Sequence, residues 1–187
     1  GLAASALALT DSGIALDKEN LDRIGVVIGT GIGGLYILQE QMRVLMAKGP
    51  DRFSPFMIPQ MITNIAAGHV AIKHGLRGPN FCTVSACASG SHAIGESLRM
   101  IQVGDADVMV AGGTESPICD LGLGGFTALR AVSTRNDAPE KASRPFDLNR
   151  DGFVIAEGAA VLILEEWEHA QKRGAKIYCE VAGYGRT

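Results

Sequence analysis

The sequence has neither a long hydrophobic run nor an excess of positive charge. No apolar run reaches the roughly 18 residues that a membrane span needs. The formal net charge is −3, which gives no general attraction to nucleic acid, and no basic stripe carries interleaved aromatic residues. We therefore expect a protein that has neither a membrane nor a nucleic acid as its partner.

Organised cysteines are also missing. The four cysteines, Cys82, Cys87, Cys119 and Cys179, form no CxxC pair and follow no regular spacing. A zinc site or a disulfide framework needs such organisation, so we expect neither a bound metal nor a set of disulfides. Unpaired thiols are typical of a reducing compartment. Because most free cysteines are small buried side chains, a chemical role for any of them needs further support.

The composition that remains is that of a globular protein. Of the 187 residues, 47% are hydrophobic and 24 are glycines, which allows one α/β domain with a substantial core and many tight turns. The first 13 residues are apolar, but they have no initiating Met and no basic segment, which argues against a signal peptide. We interpret them as a helix entered partway, and expect the sequence to be an excerpt from a longer protein.

Strand-like and helix-like segments alternate along the chain. Periodicity and capping residues predict helices over residues 35–47, 59–74, 88–103 and 165–173. Apolar, β-branched runs predict strands over residues 24–28, 81–84, 107–111, 159–164 and 177–182, and residues 152–155 are also strand-like. Together these elements predict one layered α/β domain with a mixed five-stranded sheet.

Residues 114–150 interrupt the regular pattern. This segment is rich in glycine, proline and charge, and within it only residues 121–132 resemble a short helix. A loop of this length in a compact domain usually has a function, so we expect it to line a site. Alternating charges near its end predict a turn in which Asp147 and Asp151 pair with Arg144 and Arg150.

The loop at residues 29–34 has the GxGxxG spacing of a dinucleotide-binding turn. It follows a predicted strand and precedes a predicted helix, as that motif requires. A nucleotide site also needs a second strand, about 20 residues later, that ends in an acidic residue. Asp51 instead lies in a turn with no strand before it. We therefore favour a tight glycine turn that lines a cleft over nucleotide binding.

Cys87 lies where a predicted strand turns into a predicted helix. The residues around it, 86–90, are small and permit a sharp turn and close backbone approach. This is the arrangement of a nucleophile elbow, with sulfur in place of a hydroxyl. The helix N-terminus favours the thiolate form, and its free N–H groups can face an oxyanion. A structural cysteine is the alternative on pattern alone, and it is our interpretation of Cys82.

No histidine is placed to act as the base for Cys87. His92 follows it by five residues and so lies off its face of the helix. His69 and His74 are also five apart and point in different directions, and His169 lies in a charged helix, where we expect it to be solvated. Because a thiol nucleophile usually needs a base, the sequence holds a candidate nucleophile without one.

Four longer stretches carry a family resemblance. They are Ser85–Gly90 (SACASG), Gly104–Ser116 (GDADVMVAGGTES), Gly124–Asp137 (GGFTALRAVSTRND) and Ser143–Ala160 (SRPFDLNRDGFVIAEGAA). In this order they resemble the β-ketoacyl-acyl-carrier-protein synthases, and the similarity is closest to the type II elongating ketosynthase of fatty acid synthesis. Several long motifs in one order are more specific than any single pattern above.

The resemblance implies a fold, a reaction and partners. The family has the thiolase-like fold, in which two similar α/β halves form αβαβα layers, and it functions as a homodimer; residues 1–187 would be the N-terminal, nucleophile-bearing half. The family nucleophile falls on Cys87, which takes an acyl group from acyl carrier protein as a thioester. Malonyl-acyl carrier protein then loses CO2, and the resulting carbanion attacks that thioester.

The family's other site residues are divided between the two halves. The resemblance implies that the acyl channel is lined by Ile32, Met57, Met61, Gly122 and Phe126. The backbone N–H of Cys87 would be one oxyanion donor, and no cofactor is implied. The family's two active-site histidines and its lysine belong to the second half, so we expect this chain alone to be inactive.

Several related proteins are alternatives. A modular polyketide ketosynthase or a type I synthase shares the cysteine motif. A degradative thiolase is disfavoured because the SRPFD and GGFTALRAVSTRND stretches match ketosynthases. A non-catalytic partner subunit that determines chain length replaces the nucleophile, whereas Cys87 is present. We expect a bacterial cytoplasmic protein, with a plastid or a mitochondrion as the alternative compartment.

Overall fold

The computed structural model describes residues 1–186. The strands are β1 (Ile24–Gly29), β2 (Asn80–Phe81), β3 (Val108–Glu115) and β4 (Gly158–Glu165). The helices are α1 (Leu2–Ser12), α2 (Leu35–Lys48), α3 (Met57–Met61), α4 (Ile65–His74), α5 (Ser89–Gln102), α6 (Asp120–Ala128) and α7 (Trp167–Lys172). The chain forms two compact units. The first, the sheet unit, contains residues 1–32, 62–115 and 158–186, and the second, the helical unit, contains residues 33–61 and 116–157.

The four strands form one mixed sheet in the order β2-β1-β3-β4. β1 is parallel to both β2 and β3, and β3 is antiparallel to β4. All six residues of β1 are buried, as expected of a central strand that is covered on both faces. Because β1, β2 and β3 run in the same direction, the turns that follow them leave the sheet at one edge.

Alternate residues of the central strands face two separate cores. Ile24, Val26 and Ile28 pack with residues of α1 and α4 on one face. Val27 and Met109 pack with Ala93 of α5 on the other face. The period of two follows from strand geometry, and each fully buried Val or Ile side chain contributes about 1.5–3 kcal/mol. The sheet unit is therefore a helix–sheet–helix sandwich, with α5 covering one face.

The helical unit is built around α2. This helix ends at Gly49, whose φ of +82° is in the left-handed region, and Pro50 follows, as the sequence predicts. The buried Gln39 side chain accepts a hydrogen bond from the Leu121 N–H at 2.9 Å, which ties α2 to the start of α6. The short helix predicted within residues 121–132 is confirmed: it is α6, which covers Asp120–Ala128.

The prediction of one helix over residues 59–74 is wrong, because the chain forms two helices there. The structure has α3 over Met57–Met61 and then α4 over Ile65–His74. In an unbroken helix the Met61 carbonyl would accept from the N–H four residues later. It instead accepts from the Gly34 N–H at 3.0 Å, and the contact with the glycine loop ends α3.

The prediction of five strands is wrong by one, because residues 177–182 form no strand. Side chains rather than a backbone ladder hold this segment: Val181 packs into the core beneath α5, and the Tyr178 hydroxyl donates to Asp11 at 3.0 Å. Residues 152–155 also form no strand, and only Phe153 makes a bridge, to Val132. The apolar and β-branched residues of these two segments are mostly exposed and do not pair as strands.

Within residues 1–186 the structure contains no helix that is long and apolar enough to cross a membrane.

Candidate active site

The turn between β2 and α5 is strained and tightly hydrogen-bonded. Ala86 has a φ of +51°, in the left-handed region that residues with a Cβ rarely adopt. Buried Ser89 holds this turn in place. Its hydroxyl accepts from the Ser85 N–H at 2.9 Å and donates to the Ala86 carbonyl at 2.7 Å, while its carbonyl accepts from the Thr83 hydroxyl at 2.7 Å. Strain that is held by several bonds in this way is typical of functional sites.

Cys87 follows the strained residue and is exposed to solvent. The next two residues, Ala88 and Ser89, turn back on the chain, with their N–H groups donating to Ser85 and Ala86 at 3.1 Å each. The helix itself begins at Ser89, one residue later than predicted. The structure thus confirms the sharp strand–turn–helix arrangement and leaves Cys87 exposed to solvent.

Cys82 has a different environment from Cys87. It lies just after β2, not within a strand as predicted, and is only half-buried. Its thiol lies 3.4 Å from the neighbouring Thr83 carbonyl oxygen. No left-handed residue precedes Cys82 as Ala86 precedes Cys87, and the structural role of Cys82 stays a prediction.

The glycine loop after β1 is occupied by a carboxylate of the protein itself. Glu115, the last residue of β3, accepts from the Thr30 hydroxyl at 2.7 Å, and from the N–H groups of Gly31 and Ile32 at 2.5 and 3.1 Å. A bound phosphate would need these same backbone donors. The tight glycine turn favoured from the sequence is therefore present, and a nucleotide phosphate has no free donors at Gly31 and Ile32. The sequence contains no signal for this role of Glu115, because no motif links the two segments.

Glycines let the glycine loop after β1, the turn that carries Cys87 and the start of α5 approach one another. A Cβ on Gly29 would overlap the Ser89 carbonyl, and a Cβ on Gly31 would lie 3.3 Å from the Ala86 carbonyl oxygen. Residues that follow β1 and β2 therefore meet, together with the end of β3, at the carboxyl edge of the parallel strands. This is where open α/β sheets place ligands.

The candidate channel residues fall in both units. Ile32 belongs to the sheet unit, at the end of the glycine loop, and its side chain is 39% exposed. Met57 and Met61 lie on α3 and are half-buried, whereas Gly122 and Phe126 lie on α6. Within the helical unit, α3 and α6 each pack on α2. Phe126 stacks edge-on against Phe153, with ring centroids 5.4 Å apart.

The structure gives His92 and His169 defined partners. His92 Nδ1 lies 2.5 Å from the Ser85 hydroxyl, so its ring supports the turn that carries Cys87. His169 is not solvated as predicted: Nδ1 lies 2.6 Å from Glu165 and Nε2 lies 3.0 Å from Glu19. Burial lowers the pKa of His169, but the hydrogen bond to Glu165 and the charges of both carboxylates outweigh it and raise the pKa.

The other two histidines are separate from this turn. His69 is exposed on α4. Burial, with a smaller effect of the Lys73 charge, lowers the pKa of His74. No group of three or more potential metal ligands occurs within the described residues.

The charged turn near Asp151 is partly as predicted. Arg144 lies 3.1 Å from the Asp151 carboxylate, which confirms that pair. Arg150 instead donates to the Asp147 backbone carbonyl at 2.8 Å. The pKa of Asp151 is lowered, chiefly by the hydrogen bond from Ser133. The turn therefore has a structural role within the helical unit.

Comparison with known protein families decides to which family the chain belongs. The family model described as "Beta-ketoacyl synthase, N-terminal domain" matches residues 1–170. The chain belongs to the β-ketoacyl synthase family. Within this family, two bacterial proteins named 3-oxoacyl-[acyl-carrier-protein] synthase 2 are close relatives. The protein from Vibrio cholerae is 54% identical, with 100% of this chain and 45% of the relative covered. The protein from Rhizobium meliloti is 57% identical, with 98% and 44% covered.

An organellar relative and two solved ketosynthases extend the comparison. The mitochondrial 3-oxoacyl-[acyl-carrier-protein] synthase of Arabidopsis thaliana is 54% identical over 91% of this chain and 37% of its own length. A β-ketoacyl synthase from Burkholderia phymatum has a TM-score of 0.84 at 39% identity, covering 94% of this chain and 43% of its own. A type II polyketide ketosynthase, solved with its acyl-carrier protein, has a TM-score of 0.86 at 38% identity, covering 96% and 46%.

These similarities confirm the family resemblance and the thiolase-like α/β fold expected from the motifs. The β-ketoacyl synthase chain described here spans about half the length of the curated relatives it matches.

Proposed function

We propose that the protein acts in fatty-acid elongation as a 3-oxoacyl-[acyl-carrier-protein] synthase in which Cys87 carries the acyl group. The observation that supports this most strongly is the exposed Cys87 on a strained turn at the carboxyl edge of the sheet, in a chain of the β-ketoacyl synthase family. A thiol that is held after a sharp turn is accessible from several directions, as an elbow nucleophile must be.

The first half-reaction is acyl transfer. The Cys87 sulfur attacks the carbonyl carbon of an acyl thioester, a new C–S bond forms, and the carrier thiol leaves with the proton from Cys87. The backbone N–H of Cys87 would donate to the oxyanion of the tetrahedral intermediate. Because one thioester is exchanged for another, the leaving group is as good as the nucleophile.

The second half-reaction is decarboxylative condensation. Malonyl-acyl carrier protein loses CO2, and the electron pair of the broken C–C bond becomes the carbanion. The carbanion attacks the acyl carbonyl on Cys87, a C–C bond forms, and the C–S bond breaks to return the thiolate. Two histidines and a lysine of the family's second half would assist this step.

Ile32, Met57, Met61, Gly122 and Phe126 would line the acyl channel. Met is flexible and polarisable and so adapts to an alkyl chain, and a Cβ on Gly122 would overlap the Pro117 carbonyl, so glycine preserves the close packing of α6.

The proposed partners are acyl carrier protein, in its acyl and malonyl forms, and a second copy of the protein in a homodimer. The complex of a related ketosynthase with its acyl-carrier protein supports the first. The bacterial relatives support a bacterial cytoplasmic enzyme, and the mitochondrial relative supports the organellar alternative.

Polyketide synthesis is the second candidate, because a polyketide ketosynthase shares the fold at a TM-score of 0.86. The observation that favours fatty-acid elongation is identity: 54–57% to the 3-oxoacyl-[acyl-carrier-protein] synthases against 38% to that ketosynthase.

Mass spectrometry of the full-length protein after incubation with acyl-acyl carrier protein tests the assignment. We expect one acyl adduct on Cys87, no adduct in Cys87→Ala, and an unchanged adduct in the matched control Cys82→Ala. An adduct on Cys82, Cys119 or Cys179 in place of Cys87 would contradict the proposal.

A further inference from the structure

The His92 side chain reaches back from α5 to the first residue of the turn that carries Cys87. His92 lies in the first turn of α5, and helical side chains point toward the N-terminus of their helix. Its Nδ1 atom lies 2.5 Å from the Ser85 hydroxyl oxygen, seven residues earlier in the chain. The imidazole nitrogen can accept from this hydroxyl or, when it carries a proton, donate to it. The two side chains are therefore joined in either state.

The ring of His92 is itself held in place. The Tyr184 ring lies edge-on to it, with ring centroids 6.2 Å apart and an interplanar angle of 74°. Tyr184 packs against α5 where Gly95 leaves room, because a Cβ on Gly95 would overlap the Tyr184 ring. An edge-on arrangement is one that aromatic rings prefer. His92 therefore offers the Ser85 hydroxyl a nitrogen in a fixed position.

Ser85 connects this nitrogen to the backbone of the turn. Its N–H donates to the Ser89 hydroxyl at 2.9 Å, and its carbonyl accepts from the Ala88 N–H at 3.1 Å. These two bonds hold the peptide groups on either side of Ser85, and the bond to His92 holds its side chain. The orientation of Ser85 therefore depends on the start of α5 through all three contacts.

The peptide group between Ala86 and Cys87 contains the N–H that the proposed function assigns to the oxyanion. Its carbonyl accepts from the hydroxyl and the N–H of Ser89 at 2.7 and 3.1 Å. The turn is thus held at two points, at this peptide by Ser89 and at its first residue by His92. Because Ser85 is only two residues before Cys87, loss of the His92 bond should tilt the Cys87 N–H while Ser89 keeps the turn closed.

We propose that His92 is a positioning residue that acts through Ser85 to aim the Cys87 N–H at the oxyanion formed during acyl transfer. The inference rests on the proposed function, because it takes Cys87 as the acyl acceptor. In this role His92 does not touch the substrate. Its effect is specific to reactions that form an oxyanion, since a donor aimed at developing charge lowers the barrier only where that charge develops.

Two reactions of the same thiol test this role in the full-length protein. Acyl transfer from acyl-acyl carrier protein to Cys87 forms an oxyanion, whereas alkylation of Cys87 by iodoacetamide displaces iodide from a saturated carbon and forms none. His92→Phe keeps a ring beside Tyr184 but lacks the nitrogen. We expect its acylation rate to fall about tenfold, less than the roughly 100-fold or greater loss on removal of an oxyanion donor, because the N–H is still present. The alkylation rate, also followed by mass spectrometry, should change less than about threefold.

His92→Asn and Ser85→Ala show whether the effect passes through Ser85. Asn carries a polar atom on Cγ, where histidine carries Nδ1, so His92→Asn should restore most of the acylation rate although it lacks the ring. Ser85→Ala should slow acylation as much as His92→Phe does. The double variant should lose no more than either single variant, since residues that act as a unit are not additive. His69→Phe, at an exposed position on α4, is the matched control and should keep the wild-type acylation rate.

Several results would overturn the inference. Equal losses of acylation and alkylation in His92→Phe, or no rescue by His92→Asn, would mean a general structural role. Losses that multiply in the double variant would show that His92 does not act through Ser85, and an unchanged acylation rate in His92→Phe would show that it has no role. If His92→Phe does not fold, Ser85→Ala removes the same bond and allows the same comparison of the two reactions. If wild-type Cys87 is alkylated but accepts no acyl group, the proposed function fails first, and the inference fails with it.

Discussion

At the scale of single residues, the site depends on a few side chains that hold an unfavourable backbone. A left-handed conformation of an L-residue such as Ala86 costs about 1–2 kcal/mol. The Ser89 hydroxyl offsets this cost by bonding on both sides of Ala86, to the Ser85 N–H and the Ala86 carbonyl. The motif predicts small residues in this turn, whereas the role of the Ser89 hydroxyl follows only from the hydrogen bonds.

Ser89→Ala should lower the free energy of unfolding by about 0.5–1.5 kcal/mol, because the Ser85 N–H loses the hydroxyl that accepts from it and the Ala86 carbonyl keeps only the Ser89 N–H. It should also slow acylation of Cys87, since the turn would relax. Ser91→Ala, at an exposed position on the same helix, is the control and should change stability by less than about 0.5 kcal/mol. Urea denaturation measures the first effect and the rate of adduct formation the second. Equal stability of the two variants would contradict this account.

At the scale of elements, glycines decide how closely α5 approaches the sheet. Gly29 of β1 lies against the Ser89 backbone, and Gly90 of α5 lies against Gly113 of β3, where an added Cβ would be 3.6 Å from the Gly113 Cα. These contacts bring the start of α5 onto the carboxyl ends of β1 and β3. The sequence shows the glycines, but not which of them have a neighbour within contact distance.

Two glycine-to-alanine substitutions should therefore change the free energy of unfolding in opposite directions. Gly29→Ala forces β1 and α5 apart and should lower the free energy of unfolding by about 1–3 kcal/mol. Gly68→Ala, within α4 with no neighbour near the added Cβ, should raise it by about 0.5–1 kcal/mol, because alanine is the better helix former. Thermal and urea denaturation of both variants measure these changes. A stabilising Gly29→Ala would show that α5 is not packed as described.

At the scale of the whole chain, a group of charges joins segments that are far apart in sequence. His169 of α7 contacts Glu165 at the end of β4 and Glu19 between α1 and β1. Arg173 pairs with the same Glu165 carboxylate at 2.7 Å and donates to the Ser12 carbonyl at 2.9 Å. Burial raises the pKa of Glu165, but the hydrogen bonds from Arg173 and His169 outweigh this and lower it.

This group should make stability depend on pH. Both ring nitrogens of His169 face a carboxylate, which only the protonated ring can satisfy as a double donor. Because the folded pKa is raised above the ordinary value of 6.5, the stabilisation is fully present below that value. It is lost as the pH rises through the folded pKa. Urea denaturation between about pH 6 and about pH 9 should show this loss for the wild type.

His169→Gln should remove most of that dependence on pH, because glutamine does not titrate. His69→Gln is the control, since His69 is exposed on α4, and it should keep the wild-type dependence. A wild-type stability that rises over this range, or one that His169→Gln leaves unaltered, would contradict the role of His169.

Much of the secondary structure of both units could be predicted from local pattern. β1, α2, α5 and β3 are apolar or periodic enough that burial alone selects their structure. The predictions failed where a distant contact decides the local backbone. Met61 ends α3 by bonding to Gly34, and His169 is held by two carboxylates rather than by water. Residues 177–182 pack through side chains, with no strand pairing.

The sequence by itself determined the family, the α/β class and the nucleophile candidate Cys87, because motifs and periodicity are local and remain in the linear order of residues. Only the tertiary structure decided what surrounds that cysteine. It showed a strained Ala86, a glycine loop bound to Glu115, and the meeting of three strand ends at one edge. Glu115 and the loop residues it binds are 83 to 85 positions apart in the sequence. No sequence motif links positions so far apart, because only the pairing of β1 with β3 brings them together.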